Sequence, residues 1–212
     1  MLILKIHHEE DAMERNEKPG NKYFFAVGGF LFTALAGSGL HFLFEAAGRF
    51  LPAALISPVN ESVWEHLKLL FFPLLLYTLW EGSLRRWPRA FLPSRACALL
   101  AGLLSIPLLF YGCSLILGTH LFWVDIAIFL FSILLCFVLS CSLEAHARRV
   151  VSTLHMHPSL LARRISSLLA VFLLTLLTVL FIWFTFAPPR YTLFQDPVSG
   201  GWGIWASDGQ AR

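Results

Sequence analysis

Ser57-Pro58-Val59-Asn60-Glu61-Ser62-Val63-Trp64-Glu65-His66-Leu67-Lys68 runs straight into Leu69-Leu70-Phe71-Phe72-Pro73-Leu74-Leu75-Leu76. Two carboxylates, an imidazole, a carboxamide and an ammonium therefore crowd the opening of a segment that then turns wholly apolar. An apolar run of about 20 residues crosses a hydrocarbon core about 30 Å thick as a helix, because a helix satisfies its own backbone polar groups there. Ionisable groups within such a span are costly and by default mark a functional site. The stretch thus predicts a membrane helix and a polar site at one of its ends.

The rest of the chain agrees with that reading. Of 212 residues, 57% are hydrophobic and only 14% charged, and the mean hydropathy is +0.70. A soluble domain carries about 25% charged residues. The expected fold is all-α, a polytopic transmembrane helical bundle of about five spans. These run over about 23–47, 57–83, 96–117, 120–142 and 165–186. Ser57 caps the second with Pro58 in its first turn, and Pro107 kinks the third. Residues 49–56 are short, apolar and interrupted by Pro52, as an interfacial or re-entrant piece would be. Small residues of the first span, among them Gly28, Gly29 and Gly37, let a neighbouring helix approach closely.

Residues 1–22 read as a hydrophilic tail, 23–187 as the bundle and 188–212 as a second tail. With no apolar centre in the first 22 residues, no cleavable signal peptide is expected. The net charge of +3 does not imply nucleic acid, since the basic residues lie in short loops rather than on one face. The expected partner is the lipid bilayer. Cys97, Cys113, Cys136 and Cys141 show no CxxC spacing and read as small buried hydrophobes. Twelve lysines and arginines fall in the amino-terminal tail and the second-to-third and fourth-to-fifth loops, against Arg49, Arg190 and Arg212 on the other side. The positive-inside rule then places the amino terminus in the cytoplasm and the carboxyl terminus outside. A bacterial inner membrane is the expected location.

That topology brings scattered polar residues to one leaflet: His41 and Glu45; Asn60, Glu61, Glu65, His66 and Lys68; His120 and Asp125; Arg190 and Asp196. His41 and Glu45 share a helix face, as do Glu61 and Glu65. Carboxylates and imidazoles from facing helices resemble the ligand sets that hold zinc or paired iron or manganese ions in bundles. His41, Glu45, Glu65 and His66 are the candidate metal ligands and Glu61 the candidate general base. Asn60, Lys68, His120, Asp125, Arg190 and Asp196 are candidate binding residues. Simpler readings stand beside these. Glu61 suits a helix first turn, Glu65 with Lys68 suits a neutralising pair, and Trp64, Trp123, Trp183, Trp202 and Trp205 suit an interfacial aromatic belt. Glu81 and Glu144 sit at the opposite, basic ends with arginine partners. The tail from Ala187 to Ile204 is turn-rich yet apolar, and it is expected to fold over the outer mouth as a lid.

Ile56 to Lys68, together with Pro-Pro-Arg-Tyr-x-Leu-Phe-x-Asp-Pro ending at Arg190 to Pro197, resembles a family of small bacterial inner-membrane proteins that carries only a domain-of-unknown-function label. The resemblance brings no activity with it. From the residues, the first reading is a membrane hydrolase assisted by a divalent metal ion such as zinc, acting on a lipid or lipid-linked substrate. The alternatives are a binding or transport component that recognises a charged small molecule, and a structural or assembly protein whose polar groups lock helices together.

Overall fold

A computed structural model describes residues 19–88, 90–119, 121–154 and 160–205. Among these the chain is all-α, with six helices and, apart from one isolated β-bridge between Gln195 and Trp202, no β-structure. The helices are α1 (Pro19–Ala46), α2 (Leu51–Ala54), α3 (Val63–Leu84), α4 (Phe91–Leu117), α5 (Phe122–Leu154) and α6 (Leu160–Phe186). A 3₁₀ turn, Thr192–Phe194, follows α6, and another covers residues 203–205. Five of the six, all but the one-turn α2, are long and apolar enough to cross a membrane.

Helix α3 is the axis. It touches α1, α4, α5 and α6, and 61% of its most apolar window is buried, against 17–33% for the other four spans. Leu70, Phe71 and Leu74 of α3 are fully buried and pack with Leu99 of α4, Ile133 of α5 and Phe181 of α6. The outward faces carry Leu31, Leu35, Leu104, Leu108, Leu168 and Phe172. In a bilayer these faces need no cover, because lipid tails are as apolar as leucine.

What holds the helices together is close approach and polar contact. Pro73 cannot donate a backbone hydrogen bond, so the carbonyl of Leu69 lacks its usual partner one turn on. Gly37 of α1 sits against that carbonyl, and a Cβ built at Gly37 would stand 2.5 Å from Leu69 O. The glycine lets the neighbouring backbone close over the vacant acceptor. Ser105 and Ser132 join α4 to α5 by a hydroxyl pair at 2.8 Å, and Cys136 donates to Ala98 O at 3.4 Å. Cys136 is buried as expected, but Cys97 is exposed, because it lies on the outward face of α4.

Each end of the bundle carries a polar cluster. At the end where α3 finishes, here the arginine end, Glu81 pairs with Arg85 at 2.8 Å and with Arg95 at 2.5 Å. Glu144 of α5 pairs with Arg85 at 2.8 Å, with Lys22 at 3.4 Å and with Arg148. The guanidiniums of Arg85 and Arg95 also lie over the Phe91 ring, 5.0 and 5.2 Å from its centroid. Four helices are tied by this network, as the arginine partners expected for Glu81 and Glu144 require.

Helix α3 starts at Val63 rather than near Ser57. Ser62 is its N-cap, accepting the Glu65 N–H on its hydroxyl at 3.3 Å. Ser57 instead turns back, donating its hydroxyl to Ala53 O at 2.6 Å. Asn60 Oδ1 accepts the Ser62 N–H at 2.9 Å, an Asx turn that keeps residues 60–62 out of the helix.

Candidate functional site

The other end, here the site end, is built on the loop 57–62. Behind that loop lies a buried lock. Lys68 is 0% exposed and Glu65 2%, and their side chains meet at 2.6 Å. Lys68 Nζ also donates to Ala54 O at 2.9 Å, Ser57 O at 3.3 Å and Thr185 Oγ1 at 2.6 Å. The Glu65 carboxylate accepts the Val59 N–H at 3.1 Å and lies 3.3 Å from the Thr185 hydroxyl. The one Thr185 hydroxyl proton is shared between that carboxylate and Phe181 O, 2.8 Å away. One ion pair thereby fastens α2, the loop, α3 and α6. With every polar atom matched and no access to solvent, this pair is a structural tie, consistent with the neutralising i, i+3 reading.

A second group forms in front of the loop. One ligand atom each from His41 of α1, Glu61 of the loop and His66 of α3 lie within 4.8 Å of one another. His66 Nδ1 is 2.9 Å from Ser62 O. A carbonyl has no proton to give, so this nitrogen is the donor, and in the neutral ring the lone pair belongs to Nε2. That lone pair faces Glu61 Oε2 at 3.3 Å. Two lone pairs oppose unless a cation, a proton or a metal ion, lies between them. The His41 ring is 5.1 Å from the His66 ring, and its buried Nδ1 has no hydrogen-bond partner. The Glu61 carboxyl is held below the usual carboxylate range, chiefly by its hydrogen bond to His66, with partial burial opposing the shift.

Of these, His41 and Glu61 border a pocket of about 190 Å³, with His66 behind Glu61. His41, Phe44 and Glu45 line it from α1, Pro58 to Glu61 from the loop, and Asp196, Val198 and Ser199 from the tail. The tail reaches it because it folds back over the site end. Phe194 is buried under Trp64, ring centroids 4.8 Å apart, and Trp64 stacks on Phe181 at 4.8 Å. Trp64 is thus half-buried in a nest of rings, whereas Trp123, Trp183 and Trp205 are exposed as belt residues are. Asp196 folds its own loop, accepting from Val198 N at 3.0 Å, Ser199 N at 3.3 Å and Ser199 Oγ at 2.5 Å. Asn60 Nδ2 donates to Gly203 O at 2.9 Å across 143 positions of sequence.

The structure therefore sorts the residues singled out in the sequence into three sets. His41, Glu61 and His66 come together, with Glu45, Asn60 and Asp196 on the same pocket. Glu65 and Lys68 lie behind the loop and are sealed from it. The reason is the late start of α3: with Glu61 outside the helix, the i, i+4 relation to Glu65 is lost and the two carboxylates diverge. Glu45 turns from His41 to Arg49, 3.1 Å away. Arg190 lies over the Trp202 ring, 5.9 Å from its centroid, and Asp125 is half-buried in the first turn of α5. His120 lies outside the described residues. Two contributors were missed, Thr185 and Gly203. Thr185 had one signal, a hydroxyl in the last turn of its span, but Thr175 and Thr178 of the same helix carry the same group; Gly203 had none beyond its place in a turn-rich tail.

Residues 13–204 match the model of a family of unknown function, DUF6512, and the chain belongs to that family. No curated protein and no solved structure matches it.

Proposed function

We propose that the protein is a metal-assisted membrane hydrolase whose ion is held by His41, Glu61 and His66 at the outward end of the bundle. The observation that carries this reading is the His66 ring. Its Nδ1–H is fixed on a backbone carbonyl, and its other nitrogen is aimed at a carboxylate that a second histidine also approaches. Orienting a ligand histidine through its far N–H is the usual outer-shell device of metal sites. Two histidines and one glutamate, with a pocket alongside, are also the ligand set of catalytic zinc sites that keep a fourth position open. The 3.3 Å between His66 Nε2 and Glu61 Oε2 is close to the ~3.3 Å edge of a tetrahedron drawn with bonds of ~2.0–2.1 Å. His41 would be the third ligand, its nearest ring nitrogen within 4.8 Å of the other two ligand atoms.

His41, Glu61 and His66 would hold a divalent ion, which would supply a water acidified to a pKa of about 7 and a Lewis acid for a carbonyl or phosphoryl oxygen. With Glu61 taken as a ligand rather than the general base expected from the sequence, Glu45 on the same pocket wall is the carboxylate that would take the proton, once released from Arg49, 3.1 Å away. Lys68, sealed behind the loop, does not meet the reacting atoms. The pocket accepts the head of a lipid or lipid-linked substrate while its chains stay among the apolar outer faces of the helices. Purified protein equilibrated with Zn²⁺ is expected to retain one ion per chain, and His41→Ala or His66→Ala to lose it. Membranes containing the wild type, but not His66→Ala, are expected to accumulate cleaved lipid by mass spectrometry. A wild type that retains no Zn²⁺, or a His66→Ala protein that retains as much, overturns the reading.

A further inference from the structure

Asn60 stands next to the ligand Glu61 and makes two contacts in opposite directions. Its Oδ1 accepts the Ser62 N–H at 2.9 Å, fixing the backbone on either side of Glu61. The carbonyl of that same Ser62 receives His66 Nδ1–H at 2.9 Å. One Asx turn therefore sets the direction of the Glu61 carboxylate and, through Ser62, the orientation of the His66 ring. The other arm of Asn60, Nδ2, donates to Gly203 O at 2.9 Å. Gly203 is itself tightly placed. Its φ is +63°, and a Cβ there would stand 2.7 Å from Thr185 O and 3.0 Å from Pro188 Cδ. Such a conformation and such a space admit glycine alone. The tail is thus seated on the end of α6 at Gly203 and delivers a carbonyl to Asn60. The same tail supplies Asp196, Val198 and Ser199 to the pocket wall.

From this chain of contacts we infer that Asn60 is a positioning residue for the ion site, and that the seated tail is what holds it in place. The inference rests on the reading of His41, Glu61 and His66 as ligands. Outer-shell partners of this kind change metal affinity by about 10–100-fold when removed. The tail then contributes to the site without touching the ion: when Gly203 is unseated, Asn60 loses one of its two anchors and the Glu61 turn loosens.

The test is Co²⁺ binding to the full chain in detergent, read by visible absorption, which reports both affinity and coordination geometry, with the melting temperature of the metal-free protein measured alongside. Asn60→Ala is expected to weaken Co²⁺ binding at least tenfold and to change the spectrum. Asn60→Asp keeps an acceptor for Ser62 N–H at nearly the same volume but cannot donate to Gly203 O. It is expected to lower the metal-free melting temperature less than Asn60→Ala, which loses both contacts, and still to bind more weakly than wild type. Gly203→Ala leaves Asn60 and all three ligands unchanged and is expected to shift affinity in the same direction. Wild-type affinity and spectrum in Asn60→Asp and Gly203→Ala overturn the inference while leaving the metal reading intact. Absence of Co²⁺ binding by the wild type itself overturns both.

Discussion

The two ends of this bundle spend charge differently. At the arginine end, Glu81 and Glu144 are 3% exposed and each is held by at least two cations from other turns or other helices. At the site end the same economy applies to Glu65 and Lys68, buried behind the loop with every polar atom matched. In front of the loop, His41 has a buried nitrogen with no partner, Glu61 is 53% exposed, and a pocket adjoins both. Buried charge that is fully paired serves architecture, since its removal leaves an uncompensated partner. A histidine nitrogen left without a partner, beside a part-exposed His66–Glu61 pair, serves no such tie. The difference teaches that charge alone does not mark a candidate site in a membrane protein; incomplete pairing beside a cavity does.

The comparison breaks first where pairing is complete. Lys68→Ala strands the Glu65 carboxylate among Val59, Thr185 and the loop, and Glu144→Ala takes the buried carboxylate shared by Arg85, Lys22 and Arg148, leaving Arg85 its pair with Glu81. Removing one partner of a buried pair costs about 3–5 kcal/mol, so both variants are expected to lower the detergent melting temperature markedly. The double variant Lys68→Met with Glu65→Leu leaves no orphaned charge and is expected to recover most of the loss. Wild-type stability in Lys68→Ala would make the lock ornamental. The next effect is one of packing. Gly37→Ala places a methyl 2.5 Å from the Leu69 carbonyl, and overpacking of this kind costs about 1–3 kcal/mol. Thermal unfolding should show it, while Gly39→Ala, with open space at its Cα, should leave the melting temperature near wild type. His41→Ala should change metal-free stability by less than about 1 kcal/mol, since it breaks no buried pair, yet abolish ion retention.

How much of this the sequence carried depends on the range of the interaction. The five spans were legible because each is an apolar run long enough to cross, and the pairing of Glu65 with Lys68 because i, i+3 is a local spacing. The start of α3 was not. Ser57-Pro58 has the composition of a cap and first turn, but the Asx turn at Asn60 and the Val59 N–H captured by Glu65 hold residues 57–62 in a loop instead. That error of about six residues decides the site: a helix running from Pro58 would have put Glu61 and Glu65 on one face, whereas a helix starting at Val63 sends them to opposite sides of the loop. His41 with His66 could be grouped by topology, though not the tautomer that Ser62 imposes. Thr185 and Gly203 lie 120 and 143 positions from their partners, and no local pattern announces contacts of that reach.

The smallest expected effect concerns acid. The Glu61 carboxyl sits below the usual carboxylate range because His66 hydrogen-bonds it. In the unfolded chain it returns to the ordinary value. A carboxyl with a depressed native pKa adds stability above its unfolded pKa and loses that contribution as the pH falls through the native one. With chelator present to keep the protein metal-free, the wild type should therefore lose slightly more stability than Glu61→Gln between neutrality and about pH 3–4, the lower edge of the ordinary carboxylate range. The margin is small because the side chain is more than half exposed and solvent screens it. Adding Zn²⁺ should steepen the same acid limb, since protons must then displace an ion from two imidazoles and a carboxylate. Superimposed profiles for wild type and Glu61→Gln, with and without Zn²⁺, would reduce His66 and Glu61 to a surface pair and make the two ends of the bundle alike in kind.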